Sequence, residues 1–392
     1  MDETGRKRWL LIILYLGFIS LGLPDTVLGV AWPAMRREFS APLEWAGWLM
    51  SLTTIISVLS SLAAVWIMKR CHAGVILTAS ALMTSTAMLG YGLAPGMAVV
   101  AAFTLLFGIG QGAVDTAVNA HMARNYSSRH MNWIHGCWDL GATGGPLVFT
   151  AVFGLGRSWR DGYLTIFAVQ LALGLLFLLT LKLWREPSGD DAEAEGPRGE
   201  TDGSRGRWNP VRAYAGVCFY FCYPGVEVVT GLWGASYLVE VLGASPSLAG
   251  AALTMYWGSL TCGRFVVGFI AGRYSNLAIM RGGLTLVALG LVMAALAPGA
   301  APFAVALGLL GLGLSPLYPT MMHETPQRAG FDRSDKIIGF QVGAALAGAA
   351  LLPTLAGFLM RYGLSVASLP RLLMFMAVLL IMAHELSAAP KA

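Results

Sequence analysis

Four carboxylic acids lie inside long apolar stretches of the 392-residue sequence: Asp25, Asp115, Asp139 and Glu227. A charged side chain at the centre of a bilayer costs about 2.5–3.5 kcal/mol on insertion scales, so such residues usually face a water-filled cavity or a partner. A low dielectric favours the neutral form of a carboxylic acid, which lets the group load and release protons near neutral pH. We therefore predict that Asp25 and Asp115 couple proton movement to the work of this protein.

Polar residues stand one helical turn away from two of these acids. Asn119 follows Asp115 by four residues, and His135 precedes Asp139 by four, so each pair shares a helix face. An amide both donates and accepts hydrogen bonds, and a histidine beside an acid titrates near physiological pH. Each pair could bind a hydroxylated solute. For His135 and Asp139, a proton relay and a plain interhelical hydrogen bond are equally open.

Aromatic and amide side chains at membrane depth complete the predicted solute site. Aromatic rings can cover the apolar C–H faces of a sugar, while acids and amides bind its hydroxyl groups. Arg264 and Arg371 are placed toward the ends of apolar stretches, so no cation is expected near the midplane and an anionic solute is disfavoured. The predicted solute-binding residues are Asn119, His135, Trp138, Asp139, Glu227, Trp233, Trp257, Tyr318 and Gln341.

The elements that position these residues must be membrane helices. The chain is 56% hydrophobic and only 12% charged, whereas an average soluble domain is roughly 25% charged. This balance excludes an ordinary soluble enzyme, a disordered chain and a nucleic-acid binder. Spans of about 20 apolar residues must be helical, because lipid cannot satisfy an open sheet edge. We predict spans 1 to 12 at 9–33, 43–68, 73–92, 98–122, 131–155, 162–183, 213–241, 246–270, 276–296, 301–322, 335–360 and 364–388.

Two local patterns predict bending and close packing. Pro24 stands directly before Asp25, and a proline inside a helix frees a carbonyl and bends the axis. We expect a bent helix that could act as a gating element, although a tolerated kink is the simpler alternative. In span 5, the run GATGG before Pro146 predicts a packing surface for a neighbouring helix.

The spans divide into two halves related by an internal repeat. A charged, glycine-rich segment at 185–212 separates residues 1–184 from residues 213–392 and is predicted to be a flexible linker. A shift of 203 residues aligns AGWLMSLTTIISVLSSLAAVWIMKR with AGAALTMYWGSLTCGRFVVGFIAGR, and it also aligns Gly108 with Gly311. The predicted fold class is therefore an all-α integral membrane protein made of two parallel six-helix repeats.

Charged residues outside the spans predict the orientation. Most of the 26 Lys and Arg residues lie in segments on the side of the N-terminus, so both termini are predicted to be cytoplasmic. We expect a cell membrane location, the inner membrane if the source is bacterial. Arg264 and Arg273, near the end of span 8, are the predicted cytoplasmic gate. Five cysteines form no CxxC pair, so neither a disulfide framework nor a metal site is indicated.

The whole chain resembles the major facilitator transporters, and more narrowly the fucose–galactose–glucose proton symporter family. The resemblance lies in LGLPDTVLGVAWP (span 1), GIGQGAVDTAVNA (span 4), HMNWIHGCWDLGATGGPL (span 5) and GVEVVTGLWGASYL (span 7), with YWGSLTCGR, GLGLSPLYPT and GFQVGAALAGAALLP further on. It implies that the acids of spans 1 and 4, at Asp25 and Asp115, serve proton coupling and sugar recognition. Fucose permeases have Glu in span 4 and amides at the positions of His135 and Trp138, which argues against fucose itself.

The sequence thus predicts a secondary transporter that moves a sugar-like or other small polar solute by alternating access, in symport with protons. Sodium is the alternative coupling ion, and no cofactor is expected. The predicted partners are the solute and the lipid bilayer, with no nucleic acid, and the predicted state is a monomer. A drug or metabolite efflux antiporter and a non-transporting membrane sensor are the alternatives. An enzyme is disfavoured, because we find no nucleophile–base set and no cofactor motif.

Overall fold

The computed structural model describes residues 3–126, 128–184, 209–270, 273–329 and 334–388. Within these ranges every predicted span is helical, which confirms an all-α protein with twelve membrane helices. Spans 1 to 6 are formed by Glu3–Gly22 with Val27–Phe39, Trp45–Ile67, Ala73–Leu93, Met97–Asn125, Ser128–Gly154 and Trp159–Leu179. Spans 7 to 12 are formed by Pro210–Glu240, Pro246–Ile270, Asn276–Leu296, Ala300–Leu314 with Leu317–Ala329, Ser334–Tyr362 and Leu369–Ser387.

Length and hydropathy qualify ten of these spans for crossing a membrane, counted over the described ranges. Spans 5 and 8 fall below that criterion, and they pack against each other. Span 7 begins at Pro210, where the Asn209 side chain accepts a hydrogen bond from the Arg212 backbone N–H at 3.2 Å. Residues 210–212 therefore belong to the helix and not to the linker, and residues 185–208 lie outside the described part of the chain.

Two spans are interrupted by turns, span 1 over Leu23–Thr26 and span 10 at Ser315 and Pro316. A bend in span 1 is predicted from Pro24, whereas span 10 is predicted as a single helix. Pro24 and Pro316 explain both breaks, because proline has no N–H to continue the helical hydrogen bonds. The turn in span 1 keeps a hydrogen bond from the Asp25 N–H to the Gly22 carbonyl at 3.2 Å.

The repeat of 203 residues is visible in the helix bounds. The shift carries Ala73–Leu93 onto Asn276–Leu296, two helices of 21 residues each. It also carries Gly96 onto Gly299, and both residues precede the fourth helix of their half in extended backbone geometry. The breaks do not follow the repeat, because the segment of span 7 equivalent to Leu23–Thr26 is continuous helix. The halves thus share one layout but differ in where the chain bends.

Several contacts between the halves lie at one end of the bundle. We call the end that holds Glu3, Trp184, Pro210 and Ser387 the terminal face, and the other end the opposite face. At the opposite face the halves meet through spans 1 and 7, 2 and 11, and 5 and 8. Small residues permit these contacts: a Cβ atom on Gly29 would lie 2.1 Å from the carbonyl oxygen of Gly231.

Ion pairs between the halves reinforce the contact at the opposite face. Arg36 of span 1 binds Glu240 of span 7 at 2.7 Å, and Glu44 before span 2 binds Arg361 of span 11 at 3.3 Å. The Ser51 hydroxyl also lies 2.6 Å from the Thr354 hydroxyl of span 11. The halves are therefore tied together at the opposite face.

Candidate functional site

Asp25 occupies the break in span 1, where an amide from span 4 holds its carboxylate. The Gln111 side-chain N–H donates to Asp25 Oδ1 at 2.9 Å. The neighbouring Thr26 hydroxyl donates to the carbonyl of Ala142 in span 5 at 2.6 Å, which anchors the broken segment. Sequence reasoning missed Gln111. Its position one turn before Asp115 was the available signal, because the two residues share a helix face.

Glycines allow the interrupted part of span 1 to pack directly against span 5. A Cβ atom on Gly22 would lie 2.1 Å from the Trp138 carbonyl oxygen, and one on Gly141 would lie 2.2 Å from the Ile19 carbonyl oxygen. A Cβ atom on Gly145 would lie 2.3 Å from the Leu23 carbonyl oxygen. No larger residue fits at these positions without moving the backbone. The GATGG run is thus a packing surface, as predicted, and its partner is the broken first span.

Asp115 and His135 face the space between the halves. Asp115 is exposed, accepts a hydrogen bond from the Asn119 amide at 3.0 Å, and lies within electrostatic range of Asp25, His135 and Tyr318. These groups come from four spans of both halves, so Asp115 points inward. His135 is also exposed, and its ring packs edge-to-face on Phe18 with centroids 5.6 Å apart. The structure therefore brings the two predicted coupling acids and a titratable histidine together.

A second charged cluster joins the halves at the centre of spans 5, 7 and 8. The Arg264 guanidinium makes an ion pair and a hydrogen bond with Asp139 of the first half. Its other terminal nitrogen lies 3.5 Å from Glu227 Oε1 in its own half. Arg264 lies near the end of its span, as predicted, but its long side chain carries the charge back to acids nearer mid-membrane. Its role as a gate residue stays a prediction.

Hydroxyl groups surround this cluster. The Tyr223 hydroxyl donates to Glu227 Oε1 at 2.7 Å, and the Tyr256 hydroxyl donates to the Glu227 backbone carbonyl at 2.9 Å. Thr143 and Thr261 donate to the backbone carbonyl of Asp139 at 2.9 Å and 3.2 Å. Sequence reasoning did not select these four residues for the site. Tyr223 and Thr143 each stand one turn from an acid, and Tyr223 and Tyr256 are aromatic residues at membrane depth; these are the signals that the sequence carries for them.

Two tryptophans meet across the halves beside the charged cluster. Trp138 of span 5 and Trp257 of span 8 pack edge-to-face, with ring centroids 6.5 Å apart. Trp257 is only 6% exposed, and its indole N–H has no hydrogen-bond partner within the described residues. A buried donor without a partner is costly. The Trp257 N–H thus lacks a protein partner among the described residues, and its role in solute binding stays a prediction.

Two of the remaining predicted residues, Trp233 and Gln341, are bound within helix packing and not in this central space. Trp233 is fully buried, and its indole N–H donates to the Pro353 carbonyl at 3.0 Å. Gln341 is 1% exposed and accepts from the Thr325 hydroxyl at 2.9 Å. Both side chains are occupied in helix packing. Tyr318 packs edge-to-face on a neighbouring tyrosine and faces the interior, whereas Arg273 is exposed in the turn after span 8.

The sequence comparison decides the family. A family model described as Major Facilitator Superfamily matches residues 14–323. The chain belongs to the Major Facilitator Superfamily. It is therefore a multi-pass membrane transporter and not an enzyme, and proteins of this family bind small-molecule solutes within the membrane. Comparison with curated protein sequences gives no match.

Solved structures of other transporters share the fold along nearly the whole chain. A bacterial homolog of the human lysosomal transporter Spinster, inward-facing and occupied, has a TM-score of 0.72 at 15% identity, covering 98% of this chain and 97% of that one. A mutant of the nucleoside transporter NupG has a TM-score of 0.74 at 13% identity, with 95% and 98% covered. The transporter FucP in its outward conformation has a TM-score of 0.58 at 14% identity, with 97% and 99% covered.

Proposed function

We propose that this transporter moves a small polar, sugar-like solute across the membrane in symport with protons. The observation that carries the proposal is the position of Asp115 and His135, which are exposed between the halves in the parts of spans 4 and 5 nearer the terminal face. An acid within a membrane span that reaches water can exchange protons with whichever side the space opens to. Asp25, held by Gln111 in the break of span 1, supplies the second coupling carboxylate.

Two buried polar atoms favour a hydroxylated solute. The Trp257 N–H is a donor without a partner, and the Asn119 side-chain oxygen is an acceptor without one, both counted over the described residues. A hydroxyl group can donate and accept, so one solute with several hydroxyls matches both. The Trp138 and Trp257 rings supply an apolar surface between them. The resemblance to the fucose–galactose–glucose symporters points to the same class of solute.

The proposed cycle uses the two faces in turn. With the opposite face open, Asp25 and Asp115 take up protons and the solute binds between the halves. The halves then rock together at the opposite face through contacts such as Arg36 with Glu240. Solute and protons leave through the terminal face, which is predicted to be cytoplasmic. The contacts that tie the halves together at the opposite face in the present structure support its assignment to this last stage.

The test is uptake into proteoliposomes under an imposed proton gradient, with a panel of labelled sugars and polyols. We expect gradient-driven accumulation of at least one solute, abolished by a protonophore. Asp115→Asn should lose accumulation but keep solute exchange, because the amide binds hydroxyls but does not ionise and so cannot take up and release a proton. Asp161→Asn is the matched control, since Asp161 caps span 6 at the opposite face and an amide oxygen can replace its cap.

Three results would contradict the proposal. Asp115→Asn could accumulate solute as the wild type does, which would remove the coupling role. Accumulation could follow a sodium gradient alone, which would change the ion. Overexpression could instead raise cellular resistance to an expelled compound with no uptake of any sugar, which would establish the efflux alternative.

A further inference from the structure

The charges in the cluster around Arg264 do not balance. Two carboxylates, Asp139 and Glu227, share one guanidinium, and all three lie at membrane depth. With every group ionised, the cluster carries one surplus negative charge. An uncompensated charge at this depth is expensive, so the cluster favours one additional positive charge. A proton is the smallest species that can supply it.

The geometry distinguishes the two acids. Asp139 contacts Arg264 directly as a hydrogen-bonded ion pair, and its side chain is 1% exposed. Glu227 lies 3.5 Å from the guanidinium, and its side chain is 15% exposed. Asp139 therefore neutralises Arg264 and has no access to water. Glu227 is the acid in excess, and it is the one that water can reach.

The groups that face Glu227 do not supply the missing charge. Tyr223 of its own span donates a phenol hydrogen bond, and Tyr256 of span 8 binds its backbone carbonyl. Tyr318 of span 10 also faces it. Span 5 contributes Asp139 and, beyond it, His135, which faces Asp139 and Arg264. Arg264 is thus the one permanent cation among the described groups that face Glu227.

We infer that Glu227 is a further proton-carrying group of this transporter, and that its proton controls how Arg264 links the halves. When Glu227 binds a proton from water, Arg264 pairs with Asp139 alone and ties span 8 to span 5. When Glu227 returns the proton to water, the guanidinium is shared between two carboxylates of different halves. The inter-half ion pair is then weaker. The inference rests on the proposed proton-coupled transport, because only a coupled transporter would use this proton.

The first test needs no solute. Infrared difference spectra of the reconstituted wild type between mildly acidic and alkaline pH should contain the C=O band of a protonated carboxyl group. Glu227→Gln should remove one component of that band. Asp139→Asn should remove the same component, because Arg264 then balances Glu227 and no surplus charge remains. Glu385→Gln is the matched control: Glu385 is an exposed acid at the terminal face that pairs with Arg281. Its substitution should leave this component in place.

The second test measures coupling. If one coupled proton is lost, equilibrium accumulation should fall about tenfold for a gradient of one pH unit, since one pH unit per proton is a factor of ten. Glu227→Gln should show this loss while solute exchange continues. Monodisperse elution and an unchanged unfolding temperature would show that the variant is folded. If Glu227→Gln does not fold, Tyr223→Phe is the second variant. It keeps the Glu227 carboxylate and should retain the infrared component.

The two tests separate this inference from the proposed function. A wild type that accumulates no solute under a proton gradient would defeat the proposed function, and the infrared component would still report on Glu227. A coupled wild type whose Glu227→Gln variant keeps both the full accumulation and the full carboxyl band would overturn the inference. The same holds if Asp139→Asn leaves the Glu227 component unchanged.

Discussion

The long side chain of Arg264 places its charge nearer the middle of the membrane than its position in the sequence suggests. The residue stands near the end of span 8, yet its guanidinium contacts Asp139 and Glu227 at the centre of spans 5 and 7. The argument from sequence against a midplane cation therefore fails. The proposed preference for an uncharged solute rests instead on the two carboxylates that already compete for this guanidinium.

The Trp257 indole offers a prediction at this scale. Trp257→Phe keeps a ring against Trp138 and Gly231 but removes the unpartnered N–H. We expect solute affinity to fall by roughly 2–10-fold, which corresponds to one hydrogen bond of about 0.5–1.5 kcal/mol. The measurement is a binding titration on purified protein with the solute identified in the transport screen.

Trp32→Phe is the matched control for that substitution. Trp32 also has a buried N–H with no partner among the described residues, but its ring is fully enclosed in the core. Its substitution should leave solute affinity unchanged. Equal losses in both variants would mean that the effect comes from packing and not from contact with the solute.

Sequence reasoning found the acids of the site but not most of their partners. Asp25 and Asp115 stand out because an ionisable residue in an apolar span is energetically costly and therefore usually has a function. Gln111 and Thr143 do not stand out, because neutral polar residues occur throughout membrane helices and often bond their own backbone. Only the contact between spans distinguishes them. Trp233 shows the opposite case. It is predicted to bind solute because it lies in span 7 with Glu227, but its position in the sequence does not determine which way its ring packs.

At the scale of elements, the break in span 1 depends on span 5. The two segments are held by backbone contacts at glycines, so the path of the broken segment is fixed by the surface beneath it. Hydropathy predicted the extent of the span but not the break, because Leu23 and Pro24 are apolar and do not interrupt the pattern. Pro24 predicted a bend, but only the structure shows that the helix is interrupted over Leu23–Thr26.

Adjacent glycines in span 5 test this arrangement. Gly145→Ala would bring a methyl group 2.3 Å from the Leu23 carbonyl oxygen, whereas Gly144→Ala would meet only the end of the Leu23 side chain at 3.2 Å. We expect Gly145→Ala to destabilise the protein by about 1–3 kcal/mol through overpacking. Gly144→Ala should be neutral or slightly stabilising, because alanine favours the helix. Thermal unfolding in detergent measures both, and a larger loss for Gly144→Ala would contradict the described packing.

At the scale of the whole molecule, the contacts at the opposite face define the conformation. Ser51 and Thr354 join spans 2 and 11 across the halves with hydroxyl oxygens 2.6 Å apart. A disulfide between Ser51→Cys and Thr354→Cys should form readily, since the side chains already touch. It should abolish transport, and a reducing agent should restore it. The assay is uptake before and after reduction.

A second cysteine pair controls for the chemistry of cross-linking. Ser61 and Thr116 join spans 2 and 4 within the first half through their hydroxyl groups. A disulfide at Ser61→Cys and Thr116→Cys should leave transport largely intact, because the two spans move together. Full transport with the inter-half disulfide in place would show that the halves do not separate at the opposite face.

The ion pair between Asp139 and Arg264 has a consequence for how the protein is made. The ribosome produces the chain from its N-terminus, so span 5 enters the bilayer before span 8 exists. During that interval Asp139 has no guanidinium beside it, and the first half holds an uncompensated acid in its interior. Insertion of span 8 ends this interval by delivering Arg264. We therefore expect the first half made alone to be less stable than the same half in the whole protein.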